Sequence, residues 1–126
     1  MNEQFIYMTL ATNIHTGLSL IKIGFTTNPE RRLYELRSRN KHFQYSEMML
    51  FKHNKKLLRY EMDEKLLHSK NKYYRTTLDR YTLPEGNSEH YESVMTNELY
   101  AQLLSMGYIW INEPVEEKEP AMIEWN

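Results

Sequence analysis

The sequence predicts an α+β domain: a small, mainly antiparallel three-stranded sheet in the order β-β-α-β-α, flanked by helices and followed by an extra C-terminal helix and a short strand. Three observations lead there. Two β-rich stretches, Phe5 to Thr12 and Leu18 to Phe25, are joined by turn-forming residues. Apolar residues recur at helical spacing in three later segments. At 126 residues the chain has enough length for one modest core.

FIYMTLAT (Phe5 to Thr12) alternates and is rich in strand formers, so it is assigned to a strand. Asn13 to Gly17 supplies turn chemistry, and LSLIKIGF (Leu18 to Phe25) returns antiparallel. A helix should follow, with Asn28 as N-cap, Pro29 in the first helical position and Glu30 at the positive end of the dipole. Leu33 and Leu36 are its apolar stripe, and it should end near Asn40. Phe43 to Phe51 is expected as a third strand. Lys55 to Ser69 reads as a second helix, with Leu58, Met62 and Leu66 at i, i+4 spacing turned to the core. Tyr73 to Asn87 is loop-like, with a turn at Pro84 and Gly86. A third helix from about Glu92 to Met106 carries Val94, Leu99 and Leu103 and stops at Gly107. Tyr108 to Asn112 closes the domain as a short strand, so the domain spans 1–112, and 113–126 forms an acidic, mobile tail.

Composition is that of an ordinary globular chain, and no apolar run approaches the ~18 residues of a membrane helix. The N-terminus has an acidic start and does not read as a signal peptide. The absence of cysteine excludes disulfides and cysteine-ligated zinc, and fits a reducing compartment such as the cytoplasm. The net charge of -1 hides an asymmetry. Residues 1–80 hold 15 basic against 8 acidic residues, a balance of +7; residues 81–126 hold 1 against 9, a balance of -8. A basic body is suited to a polyanion, although the same residues could be scattered over a solvated surface. The acidic end is then either a solvated tail or a mimic of nucleic acid lying in the basic groove.

The second strand carries the first chemical signal. Alternation places Ile21, Ile23 and Phe25 on one face, and Leu20, Lys22 and Gly24 on the other. A lysine in an apolar strand costs free energy unless it reaches water or a partner, and a glycine beside it allows close approach of a ligand or another backbone. Anion binding and a snorkelling edge lysine both remain open. The hairpin brings Tyr7 toward Lys22; a nearby ammonium favours the phenolate, so the pair could take a proton from water, while a plain core tyrosine is the alternative. Arg31 and Arg32 occupy the first turn of the following helix, and Arg32, at the edge of the packed face, suits a bidentate phosphate contact. On the second helix, Glu61, Glu64 and His68 fall on one face with Leu57. A partly shielded Glu64 near cations is a plausible ligand for Mg²⁺, and surface placement is the alternative.

The string K-I-G-F-T-x-x-P-x-R-R-L (Lys22 to Leu33), preceded by F-I-Y (Phe5 to Tyr7) and followed by E-K-L-L-H (Glu64 to His68), resembles the GIY-YIG nuclease superfamily, in particular its phage and fungal branch with lysine in the second half-motif. The resemblance covers roughly residues 4–112. It implies a metal-dependent endonuclease acting on DNA, with RNA as a further substrate class and Mg²⁺ or Mn²⁺ as cofactor. It assigns Tyr7, Lys22, Arg32, Glu64 and His68 as candidate catalytic residues, with Glu64 as metal ligand. Ser88-Glu89-His90-Tyr91 resembles the branch's later G-E-W-F element, and Asn112 its late asparagine. The first glycine of the motif is replaced by Phe5, and the residue after Gly24 is Phe25, where relatives carry a basic residue. Arg31, Lys55, Lys56, Arg59, Lys70, Lys72 and Arg75 are expected to track a nucleic-acid backbone, with Tyr73 and Tyr74 either stacking on bases or packing in the core. Specificity would come from loops, a homodimer or a partner; no membrane is implied, and a bacterial or phage-infected cell is the expected setting. The competing class is a module on the same fold that binds nucleic acid or protein without cleaving.

Overall fold

Strand β1 (Phe5–Asn13) organises the sheet, because both of its faces are covered along most of its length. Residues 3–76 and 89–114 are described in the computed structural model of the protein. At the end of β1, Asn13 Oδ1 accepts the backbone N–H groups of His15 (2.8 Å) and Thr16 (3.1 Å), and Gly17 at φ +76° returns the chain into β2 (Ser19–Thr26). On its other side β1 pairs successively with β3 (Phe43–Tyr45) and β4 (Met49–His53). Two further short strands extend the edges: β5 (His90–Glu92) on β2, and β6 (Tyr108–Trp110) on β4. The order is β5-β2-β1-β4-β6 with β3 also on β1, and each pairing is antiparallel.

The predicted α+β class with an antiparallel sheet therefore stands, and the sheet is wider than the three strands expected. The short last strand expected from Tyr108 is present as β6, whereas β5, with three residues, is too short to show a period-2 signal. The single strand expected over Phe43 to Phe51 is interrupted. Tyr45 lies opposite Ala11 and Met49 opposite Met8, so Ser46, Glu47 and Met48 face only Thr9 and Leu10 across the ladder. This is a one-residue bulge. Ser46 fills it: its carbonyl accepts from Thr9 Oγ1 at 2.6 Å, and its Oγ accepts from Leu10 N at 3.0 Å.

Helix α1 (Pro29–Arg39) follows the prediction closely, with Asn28 Oδ1 accepting the Arg31 N–H at 3.1 Å and Asn40 as C-cap. Its Leu33 and Leu36 pack with Tyr7, Ala11 and Leu20 on one sheet face. The opposite face carries Ile6, Met8, Ile21 and Ile23 against Tyr60 and Leu67 of α2 (Tyr60–Lys70) and Leu99 and Leu103 of α3 (Thr96–Ser105). Helices on both faces place the middle of β2 in the interior.

Two helix predictions need correction. Helix α2 begins five residues later than expected, because His53 Nδ1 captures the N–H groups of Lys55 (3.0 Å) and Lys56 (3.1 Å), and Arg59 adopts φ +69°. Its core face is also rotated. Leu58, Met62 and Leu66 are exposed, whereas Tyr60, Glu64, Leu67 and His68 are buried. Glu61 and Leu57 do not share that buried face; both lie in solvent. Helix α3 starts at Thr96 after a single 3₁₀ turn, Ser93–Met95, and Val94 is exposed rather than part of the stripe. Gly107 does end it, at φ +97°, where a Cβ would sit 2.6 Å from His53 Nε2. The turn at Pro84 and Gly86 lies outside the described residues, as does all of the acidic tail beyond residue 114. No described helix is long and apolar enough to cross a membrane.

The rotated face of α2 is testable by urea unfolding. Leu67→Ala, at a fully buried site, should cost about 2–5 kcal/mol, and Leu66→Ala less than about 0.5 kcal/mol. The reverse ranking would restore the stripe inferred from periodicity.

Candidate functional site

The site forms at the edge of β2, where groups from both faces of the sheet meet. Lys22 has no exposed surface, and its Nζ donates to a Glu89 carboxylate oxygen in a short ion pair. Glu89 stands immediately before β5, and its carbonyl accepts the Ile23 N–H at 3.1 Å, which fixes it beside β2. Lys22 is thus neither a snorkelling edge residue nor an open anion site. It is an interior cation whose carboxylate partner among the described residues is Glu89. Burial raises the Glu89 carboxyl, but Lys22, with a weaker contribution from Arg32, outweighs that effect and holds it below the ordinary glutamate value.

Tyr7 lies opposite Gly24, on the same face as Lys22. Its ring covers the glycine so closely that an added Cβ would sit 2.4 Å from the phenolic oxygen. Gly24 is therefore required by Tyr7, and the approach the sequence allowed for a ligand is taken by this side chain. The Lys22 Nζ is 5.7 Å from the Tyr7 ring centroid. The group that contacts the phenol oxygen is Arg32, whose Nε donates to it at 3.3 Å. Arg32 also meets Glu35 at 3.4 Å, a contact absent from the sequence-based expectations. Arg31 is mostly exposed and reaches Glu35 at 3.9 Å.

Helix α2 contributes from the other face. The Tyr91 hydroxyl lies 2.6 Å from His68 Nδ1, and the two rings stack. Burial pushes the Tyr91 phenol up to about 12, with Glu64 and Glu89 adding to the shift and Arg75 opposing it. Tyr91 therefore keeps its proton and donates it to Nδ1. The hydrogen-bond network then puts the imidazole proton on Nε2, which points to the Ile23 carbonyl at 3.1 Å and to Glu64 Oε2 at 3.3 Å. Nε2 then has no lone pair to offer a metal, and the Nδ1 lone pair is engaged by Tyr91. One potential ligand atom from each of Glu64, His68 and Glu89 lies within 4.8 Å of the others. With His68 committed, the two carboxylates are the groups suited to a hard cation.

Five sequence-nominated residues, Tyr7, Lys22, Arg32, Glu64 and His68, thus come together, although from two sheet faces. Glu89 and Tyr91 are central to the arrangement and were not nominated as site residues. The only pointer to them was the Ser88 to Tyr91 string. Asn112 belongs elsewhere: it accepts from Leu50 N (2.8 Å) and donates to Met48 O (2.8 Å), bracing β4 across the sheet from the site. Among the nominated basic residues, Lys55, Arg59, Lys70 and Lys72 are exposed, Lys56 is engaged by Asp63, and Arg75 bridges to the Tyr91 backbone. Tyr73 and Tyr74 are exposed, not core residues, and line a cleft of about 610 Å³ with Leu20, Arg75 and Glu92.

Comparison with known proteins finds one family whose model matches, the T5orf172 domain, over residues 4–104. No curated protein and no solved structure matches. The motif-based likeness to the GIY-YIG superfamily is corrected by this match, which spans most of the chain and assigns it to a different, nuclease-associated family.

The ion pair makes a pH prediction. Glu89 is depressed in the folded protein, so its contribution is complete above the unfolded carboxyl value of about 4.5 and is lost as pH falls through the lower folded value. Lys22→Met should flatten the decline of the urea midpoint between about pH 5 and pH 3. Equal slopes in wild type and variant would remove the pair as a stability determinant.

Proposed function

Because the chain belongs to the T5orf172 domain family, a nuclease-associated family, we propose that it is a metal-dependent endonuclease hydrolysing DNA phosphodiester bonds, with RNA as the next substrate class to test. The observation that carries this is the convergence of Tyr7, Arg32 and Lys22 with the Glu64 and Glu89 carboxylates at one edge of β2. Arg32 would exchange its Glu35 contact for the scissile phosphate, and its planar fork would offset charge that builds on the phosphate oxygens. Tyr7 would take the proton of the attacking water as the phenolate, its own proton having gone to solvent, directly or through a second water, with its oxygen oriented by Arg32 Nε. Glu64 would hold the cation, with His68 fixing the carboxylate. Mg²⁺ or Mn²⁺ bound there would supply Lewis-acid stabilisation of the leaving oxygen. Lys22 would act indirectly, as the positive charge that holds Glu89.

Exposed Lys55, Arg59, Lys70 and Lys72 would meet the phosphate backbone. Exposed Tyr73, with Lys72 Nζ 5.1 Å from its ring centroid, offers a surface on which a base could stack.

Supercoiled plasmid and single-stranded substrates, incubated with protein and Mg²⁺ or Mn²⁺, test the activity. Wild type should nick or cut. Arg32→Ala should lose about 10²–10³-fold in rate, Tyr7→Phe about 10²–10⁴-fold, and Glu64→Gln nearly all activity. Binding without cleavage by the wild type, on DNA and RNA alike, would leave a binding module in place of an enzyme. The backbone contacts are tested separately by salt titration. Lys70→Ala combined with Lys72→Ala should lower the slope of log K against log[salt] by about 0.7–0.9 per contact removed. An unchanged slope would take both lysines out of the interface.

A further inference from the structure

We infer that Glu89 is a shared carboxylate, held by the Lys22 ammonium and also serving with Glu64 as a second protein ligand for a divalent cation, so that ammonium and cation compete for it. This rests on the proposal that Glu64 takes a hard cation.

The first observation is that the Glu64 carboxylate, on a largely buried side chain, makes no hydrogen bond among the described residues. It is 6% exposed, yet its only polar partner among the described residues is His68 Nε2 at 3.3 Å. A buried carboxylate has about four acceptor sites to satisfy, and an ion would use those left over. The second is the position of Glu89. One of its oxygens is within 4.8 Å of a Glu64 oxygen, a spacing that one ion can bridge when each metal–oxygen bond is about 2.0–2.6 Å. About a third of the Glu89 side chain is exposed, so it can be reached from solvent and can turn. The third is that His68 cannot fill the place, because Nδ1 is held by Tyr91 and Nε2 faces the Ile23 carbonyl.

Among the described residues Glu89 is the counter-charge in the Lys22 ion pair, and Lys22 has no exposed surface. A cation arriving at Glu89 therefore either shares the carboxylate, one oxygen to each partner, or draws it from the ammonium. In both cases the positive charge of Lys22 opposes the incoming ion. Removing that charge should tighten cation binding, which an ion pair of purely structural importance would not do.

The experiment is titration of the full chain with Mn²⁺, read from the EPR signal of the free ion, with circular dichroism to confirm folding. Wild type should bind one Mn²⁺. Glu64→Gln and Glu89→Gln should each weaken it by about 10–100-fold, and Lys22→Met should strengthen it several-fold. The Lys22→Met/Glu89→Gln double variant removes both members of the ion pair and leaves no buried orphan charge, so it guards against misfolding of Glu89→Gln. It should bind as weakly as Glu89→Gln alone. Weakening in Glu64→Gln with unchanged affinity in the two Glu89→Gln proteins would overturn the role of Glu89 and leave the Glu64 proposal standing. Unchanged or weaker binding by Lys22→Met would overturn the competition. No Mn²⁺ binding by wild type at millimolar concentration would overturn both proposals.

Discussion

A fully buried ammonium cannot stand alone, and in this fold the requirement falls on Lys22. Its charge is tolerable because Glu89 arrives from 67 residues further along the chain and lies at the edge of β2. That arrival depends on β5, a strand of three residues whose pairing with Leu20 to Lys22 holds the preceding residue in place. Losing one partner of a buried pair costs about 3–5 kcal/mol, and somewhat less here because Glu89 keeps part of its surface in water. The pair therefore ties the outer strand to the sheet while it gathers the groups of the site. Tyr7, Gly24 and Arg32 are fitted round the same spot from the α1 side, and Glu64, His68 and Tyr91 from the α2 side.

Much of this was legible in the sequence where one local signal sufficed. The hairpin, the Asn28 cap with Pro29 behind it, and the stop at Gly107 each follow from backbone preferences of single residues. Legibility failed where two signals competed. On α2, an apolar stripe at Leu58, Met62 and Leu66 indicated one face, but the buried face includes Glu64 and His68. Hydrophobic periodicity assumes that polar residues face water. A helix that lends a carboxylate and an imidazole to an interior site violates that assumption, and the error in orientation follows directly.

The missing site residue has a different cause. Lys22 in an apolar strand implied a partner, but apart from the Ser88 to Tyr91 string nothing in local spacing distinguishes Glu89 from the other carboxylates late in the chain. Only the three-dimensional return of the chain to β2 selects it. Tyr7 illustrates the converse. The expectation that it stands near Lys22 was right in register, yet the hydrogen bond to its oxygen comes from Arg32. A guanidinium that holds the phenol at 3.3 Å and reaches Glu35 at 3.4 Å joins the strand to α1, which a lysine buried beneath the ring does not do.

The motif string that suggested the GIY-YIG superfamily and the match to the T5orf172 domain place the chain in different families. The chemistry argued from the geometry does not rest on the former. A carboxylate on a largely buried side chain with one polar contact among the described residues, a second carboxylate within 4.8 Å, and an arginine beside a phenol are properties of this chain. An apolar residue at position 22 would relieve the desolvation of the ammonium, but the Glu89 carboxylate would then lose its ion-pair partner. The ion pair thus holds the Glu89 carboxylate within 4.8 Å of the Glu64 carboxylate, while about a third of the Glu89 side chain stays in water.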